Sequence, residues 1–163
     1  MEDNKQVTLI SKEGEKIITT EKAVERSKLI KNLLQDYPEE AEIPLTEVTT
    51  ETLKKIQEYL EHYQDKEPTP VQAPLISNDL KANGISEWDL SFINIESSKV
   101  FELLTAANYM DIQCLLDLAA AKIASIIKGL TPEDINNKFK FPIMSPDEEE
   151  AIFKETQWCL DNI

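Results

Sequence analysis

Apolar and polar residues alternate near the start of the chain. Residues 6–11 (QVTLIS) and 15–20 (EKIITT) alternate in the manner of half-buried strands, and Gly14 between them suits a hairpin turn. A short apolar piece at 43–45 contains Pro44, which cannot donate to a strand ladder, so it predicts an edge or brief third strand. The pattern therefore predicts a small sheet at the start of the fold.

Helical spacing of apolar residues follows the hairpin. Residues 20–37 hold two short apolar sets, which predict two short helices, and residues 49–64 carry one clear apolar stripe, which predicts a longer one. Residues 97–111 predict a helix that is apolar over more than one stripe. The next predicted helix, over 111–129, is apolar almost all round, so it needs cover on several sides.

Two short helices with strong start signals end the sequence. Residues 131–139 (TPEDINNKF) and 145–159 (SPDEEEAIFKETQWC) each begin with a capping hydroxyl, a proline and acidic residues. One stripe of the last helix is apolar: Ala151, Ile152, Trp158 and Cys159. Two interpretations stay open, because such a stripe either packs back on the domain core or forms a partner surface.

The segment between 65 and 87 has a different texture. Prolines, asparagines and Gly84 interrupt it without a sustained period, which predicts a mobile linker loop. Its scattered apolar residues are Val71, Leu75, Ile76 and Leu80. They exceed what a solvated linker needs, so part of the loop is expected to pack on the domain surface.

Length and charge narrow the function classes. The chain has 163 residues, enough for one domain with a helical extension, and 17 basic against 31 acidic residues give a formal net charge of −14. Such a surface repels phosphate, so nucleic acid and anionic membranes are poor partners and a basic protein is a better one. Neither a signal-like start nor an apolar run of membrane-spanning length is present, which predicts a cytoplasmic and nuclear protein.

Catalytic and metal-binding patterns are lacking in the sequence. Cys114 and Cys159 stand far apart without a metal-ligand spacing, and the three glycines form no phosphate-binding loop. His62 has no neighbouring nucleophile, and the acidic clusters lack the spacing of a calcium loop. The sequence therefore predicts no enzyme, no metal and no cofactor.

One combination of motifs is specific. AANYMDI at 106–112 is followed by KG at 128–129, by TPEDINNKF and by QWC at 157–159, while VTLISKEGEKI and LKKIQEYLEHY precede it in matching order. The chain resembles the S-phase-kinase-associated adaptor family of SCF ubiquitin ligases. The resemblance implies an α+β fold, in which a BTB/POZ-type domain (1–129), with a small sheet and surrounding helices, carries a C-terminal helical extension (130–163).

The resemblance also implies a function and its residues. Family members bridge a cullin scaffold to F-box substrate receptors without catalysing a reaction, so F-box proteins and a cullin are the expected partners, with a weak homodimer as a candidate state of the unbound chain. Asn108 and Tyr109 would bind the cullin, although Tyr109 by its position alone reads as a helix-end core residue. The residues that would contact an F-box are Leu116, Ile123, Ile135, Phe139, Phe141, Ile143, Ile152, Trp158 and Cys159.

Two alternatives accompany this assignment. Family members also occur in kinetochore and chromosome-axis assemblies, so a structural scaffold without ligase assembly is the competing hypothesis. In some protist members the proline that starts the last helix is hydroxylated and glycosylated, which makes Pro146 a modification candidate. A helix-start proline also needs no modification to explain it, because its fixed φ already favours that position.

Overall fold

A three-stranded sheet begins the fold. The computed structural model describes residues 5–37, 42–140 and 144–160, except for the side chains of 158–160. β1 (Gln6–Ile10) lies between β2 (Lys16–Thr20), which is antiparallel to it, and β3 (Glu42–Pro44), which is parallel to it. The hairpin turn contains Gly14 at φ +85°, a conformation that glycine adopts without strain. The predicted hairpin and edge strand are confirmed.

Two compact units make up the chain, residues 1–128 and residues 129–163. In the first unit the described helices are α1 (Glu21–Val24), α2 (Lys28–Asp36), α3 (Thr50–His62), α4 (Glu87–Phe92), α5 (Ser97–Tyr109) and α6 (Gln113–Ile127), with a short 3₁₀ helix at Lys81–Asn83. In the second unit they are α7 (Pro132–Phe139) and α8 (Pro146–Leu160). None of these helices has the length and apolar content that a membrane crossing needs.

Side-chain caps explain where several helices of the first unit begin. Thr20, Ser27, Thr49 and Ser86 each accept a backbone N–H from the first turn of the helix that follows, which satisfies a donor that has no partner within the helix. No helix is predicted over 87–92 from the sequence. Ser86 starts α4 there, and the buried Phe92 ties it to the core.

The core of the first unit lies between the sheet and helices α3, α5 and α6. The inward residues of β1, Val7 and Leu9, are fully buried, and α5 packs against both α3 and α6. The predicted stripe of α3 faces this core: Leu53, Ile56, Tyr59, Leu60 and Tyr63 are all buried. Alternation in the strands and helical spacing in α3 therefore bury what they predict.

The linker between 65 and 87 is irregular, as predicted, but hydrogen bonds within residues 76–83 hold its second half together. Asn83 is buried, and its side chain accepts from the N–H of Ile76 (2.7 Å) and donates to the carbonyls of Ser77 (2.8 Å) and Asp79 (2.7 Å). Leu80 is buried as well, so part of the linker packs on the first unit. Mobility of the linker stays a prediction.

Candidate partner-binding surfaces

The end of α5 presents Asn108 and Tyr109 at the surface. Beyond Tyr109 the N–H of Met110 donates back into the last turn of α5, and Asp111 takes a positive φ of 49°, which turns the chain into α6. Met110 and Ile112 are buried. Because these two side chains anchor the turn in the core, the exposed pair before them has a fixed direction.

α2 holds the same turn from the other side. The buried hydroxyl of Ser27 donates to the carbonyl of Met110 (Oγ···O 2.6 Å), and the N–H of Lys28 donates to the carbonyl of Asp111 (3.3 Å). The ammonium of Lys28 also lies 3.4 Å from the carboxylate of Asp111. These bonds join the start of α2 to the end of α5, so both helices position Tyr109.

Tyr109 lines a hollow of about 350 Å³ together with Tyr37, Leu29, Leu33 and Pro44. Tyr109 is 38% exposed and Tyr37 is 56% exposed, which is incompatible with the alternative interpretation of Tyr109 as a core residue. Aromatic rings with polar tips beside apolar side chains are typical of protein interfaces. The hollow can therefore receive a side chain of a partner protein.

α6 carries the predicted F-box residues of the first unit. Leu116 and Ile123 are half-buried and pack against the core, while Gln113, Cys114, Asp117 and Ala120 are exposed. The fully buried residues of α6 are Leu115, Leu118, Ala119 and Ala121. The other eleven residues of α6 are half-buried or exposed, so the expectation that this helix is covered on several sides stays a prediction.

The second unit exposes apolar side chains on α8. Ile135 and Phe139 of α7 are half-buried, whereas Ile152 is 46% and Phe153 is 56% exposed. Phe141 and Ile143 lie outside the described residues, as do the side chains of Trp158 and Cys159. The described side chains of the predicted stripe, those of Ala151 and Ile152, are therefore exposed.

Reciprocal caps fix the starts of both terminal helices. The N–H of Asp134 donates to the hydroxyl of Thr131 (3.2 Å), and the carboxylate of Asp134 accepts from the N–H of Thr131 (3.2 Å). Ser145 and Glu148 exchange the same pair of bonds at α8. The bonds from Thr131 and Ser145 lower the pKa of Asp134 and Glu148. Pro146, exposed in the first turn of α8, is thus held at a specified helix start.

Comparison with known protein families decides the assignment. Residues 5–65 match the Skp1 family, tetramerisation domain, and residues 113–159 match the Skp1 family, dimerisation domain. The chain belongs to the Skp1 family. The α+β fold with its POZ domain is thereby confirmed, and so is the predicted adaptor family.

Relatives cover nearly the whole chain. The S-phase kinase-associated protein 1 homolog of Tetrahymena thermophila is 40% identical over 94% of this chain and 93% of its own length. The E3 ubiquitin ligase complex SCF subunit sconC of Talaromyces stipitatus is 39% identical over 96% of this chain and 98% of its own length. Suppressor of kinetochore protein 1 of Schizosaccharomyces pombe is 36% identical over 95% of this chain and 98% of its own length.

The two Skp1 family matches divide the candidate residues. Asn108 and Tyr109 lie in residues 66–112, which neither match covers, whereas the nine predicted F-box residues all fall within 113–159. Tyr37 and Phe153 are exposed as well, but neither is among the residues predicted for the two surfaces. Tyr37 is the last residue of a predicted helical segment and Phe153 adjoins the predicted stripe, but the exposure of each depends on the folded structure.

His62 belongs to an aromatic cluster. Its ring stacks on Trp88 with 3.6 Å between centroids and 4° between planes, and burial and the nearby Lys66 ammonium lower its pKa. The neighbouring Tyr63 donates to the buried carboxylate of Asp89 (2.8 Å). The described residues contain no group of three or more His, Cys, Asp or Glu side chains that could hold a metal ion.

Proposed function

We propose that this Skp1-family chain is a non-catalytic adaptor of an SCF ubiquitin ligase, which bridges a cullin scaffold to F-box substrate receptors. The observation that carries the proposal is its similarity, over nearly the full length of both chains, to relatives whose names specify an SCF subunit. The structure supports it with exposed apolar side chains at the end of α5 and on α8.

The chemistry of such an adaptor is positioning. Holding a substrate receptor and a scaffold on one protein raises the effective concentration of the substrate near the enzyme that transfers ubiquitin. For this task the adaptor needs rigid anchors for its partners. The turn after Tyr109, fixed by buried Met110 and by Ser27, is such an anchor for the cullin.

The direct test is calorimetric titration of the purified chain with a cullin N-terminal domain and, separately, with an F-box domain. Both are expected to bind. A chain that binds the F-box domain but not the cullin would be a scaffold rather than a ligase adaptor. A chain that binds neither would refute the proposal.

Substitutions separate the two partner surfaces. Replacing Asn108 and Tyr109 by alanine should abolish cullin binding and leave F-box binding nearly unchanged, since sites without shared partners behave additively. Trp158→Ala should do the reverse, because an aromatic anchor in an interface commonly contributes about 2 kcal/mol or more. Ile18→Ala is the control for loss of an exposed apolar side chain, because Ile18 of β2 is 58% exposed. Loss of both partners in the Asn108/Tyr109 variant, with normal helix content, would contradict the assignment of separate surfaces.

Several finer properties complete the proposal. The adaptor acts in the cytoplasm and the nucleus, avoids nucleic acid because of its net charge of −14, and forms a weak homodimer when no partner is bound. Sedimentation at several protein concentrations tests the homodimer. Pro146 is exposed, as a hydroxylated proline would have to be, and the intact mass of the protein from its native source tests for that modification.

The kinetochore or chromosome-axis scaffold is the less favoured alternative. One relative is named as a suppressor of kinetochore protein, but others of similar identity and coverage are named as subunits of an SCF ligase. The cullin titration distinguishes the two hypotheses, since only the ligase adaptor requires that binding.

A further inference from the structure

Residues 71–76 of the linker are bonded to the end of α6. The ammonium of Lys128 donates to the carbonyls of Leu75 (2.8 Å) and Ile76 (3.0 Å), and the side-chain amide of Asn78 donates to the carbonyl of Lys128 (3.2 Å). Since one residue takes part in all three bonds, the linker is fixed beside the last turn of α6. The side chain of Asn83 shapes the loop from within.

Fixing the linker creates an apolar groove on α6. The groove has a volume of about 630 Å³, with Val71 and Leu75 on its linker wall and Ala120, Ala124 and Ile127 on its floor. Because the alanine side chains of α6 are short, the groove is deep beside the linker wall. A volume of this size suits several apolar side chains.

The groove lies on the same face of α6 as Leu116 and Ile123, which are predicted to contact an F-box. Leu116, Ala120, Ile123 and Ile127 recur at i, i+4, i+7 and i+11, and such residues lie on one face of a helix. A receptor that covers Leu116 and Ile123 therefore extends onto the groove floor. The wall lies in residues 66–112, between the two Skp1 family matches, so a receptor on this stripe also meets residues of the linker.

The charges around the groove favour an uncharged apolar occupant. The floor residues carry no charge, the ammonium of Lys128 is directed at two carbonyls, and Asp117 at the edge accepts from the side-chain amide of Gln113 (2.8 Å). A basic segment would find only one carboxylate here, in spite of the net charge of −14. Hydrophobic burial is therefore the interaction that the groove offers.

We infer that residues 71–75 are a specificity-determining part of the receptor surface, and that apolar side chains of an F-box domain occupy the groove between them and α6. The inference rests on the proposed function. It assigns the linker a role in selecting which F-box domains bind, because wall contacts are available only to a receptor with apolar side chains at that edge.

The test uses the full chain and a purified F-box domain that binds the wild type. Replacing Val71 and Leu75 by serine should weaken that binding about tenfold, because two apolar contacts are lost at an interface. Ile76→Ser is the matched control, since Ile76 is 77% exposed on the same segment and does not line the groove. It should change the affinity less than about twofold. Cullin affinity should be unchanged in both variants, which also reports that the domain is folded.

Hydrogen exchange gives a readout that needs no substitution. Amides of residues 71–73 and 75 should gain protection when the F-box domain binds the wild-type chain. Unchanged protection, or a Val71/Leu75 variant that binds as tightly as Ile76→Ser, would overturn the inference while leaving the adaptor function intact. If the Val71/Leu75 variant loses self-association and keeps receptor binding, the groove binds a second copy of this chain, and the inference is overturned too. If no F-box domain binds the wild type, the proposed function itself fails.

Discussion

Ser27 connects the stability of the first unit to the surface proposed for the cullin. Its side chain accepts the N–H of Ile30 (3.3 Å) as the cap of α2, and it donates to the carbonyl of the buried Met110 (2.6 Å). Ser27→Ala removes both bonds without adding bulk. The turn that directs Asn108 and Tyr109 then loses a bond from α2.

The expected loss combines two contributions. Removing a capping hydroxyl costs about 1 kcal/mol, and leaving a buried carbonyl without its donor costs about 1–3 kcal/mol. Ser27→Ala should therefore lower the free energy of unfolding by about 2–4 kcal/mol. This is a large part of the stability of a small domain, which is typically about 5–15 kcal/mol.

Urea unfolding followed by far-UV circular dichroism measures the change. Thr49→Ala is the matched control, because Thr49 caps α3 through the N–H of Thr52 (3.4 Å) and should cost only about 1 kcal/mol. Hydrogen exchange in residues 108–112 should accelerate in Ser27→Ala and not in Thr49→Ala. Equal losses in the two variants, with equal exchange, would refute the argument that α2 holds the end of α5.

Three further outcomes follow from the bonds of other side chains. Burial and the bond to Asp89 raise the pKa of Tyr63 from 10.0 to about 12, so the stability that its protonated hydroxyl contributes is complete below pH 10 and is lost as the pH rises through 12. In urea unfolding, the free energy of unfolding of the wild type should fall by about 2–3 kcal/mol more than that of Tyr63→Phe across that range. Asn83→Ala should accelerate amide exchange in residues 75–79 and leave α3 unchanged, because the side chain shapes only the linker. The pKa values of Asp134 and Glu148 are lowered, so the helix stability that these carboxylates contribute is present above the ordinary carboxylate pKa and is lost as the pH falls through their lower folded pKa values. NMR should show α7 and α8 losing helicity over that pH range. Helicity should depend less on pH in Asp134→Asn and Glu148→Gln.

Signals within a few residues of each other determined much of this fold from sequence. The hairpin around Gly14, the caps at Thr49, Thr131 and Ser145, and the apolar stripe of α3 all depend on neighbours within a strand or a helical turn. Such local preferences act wherever the segment lies. The family resemblance was likewise available from the order of motifs alone, and with it the candidate residues of both surfaces.

Contacts between distant residues were decided only by the tertiary structure. The Ser27–Met110 bond joins residues 83 apart, and the Lys128–Leu75 bond joins residues 53 apart. No pattern in either segment specifies its partner, because the bond forms only after packing of the core brings the two together. For the same reason, the exposure of Tyr109, the exposed residues of α6 and the groove under the linker could not be derived from sequence: each depends on which neighbours the folded chain supplies.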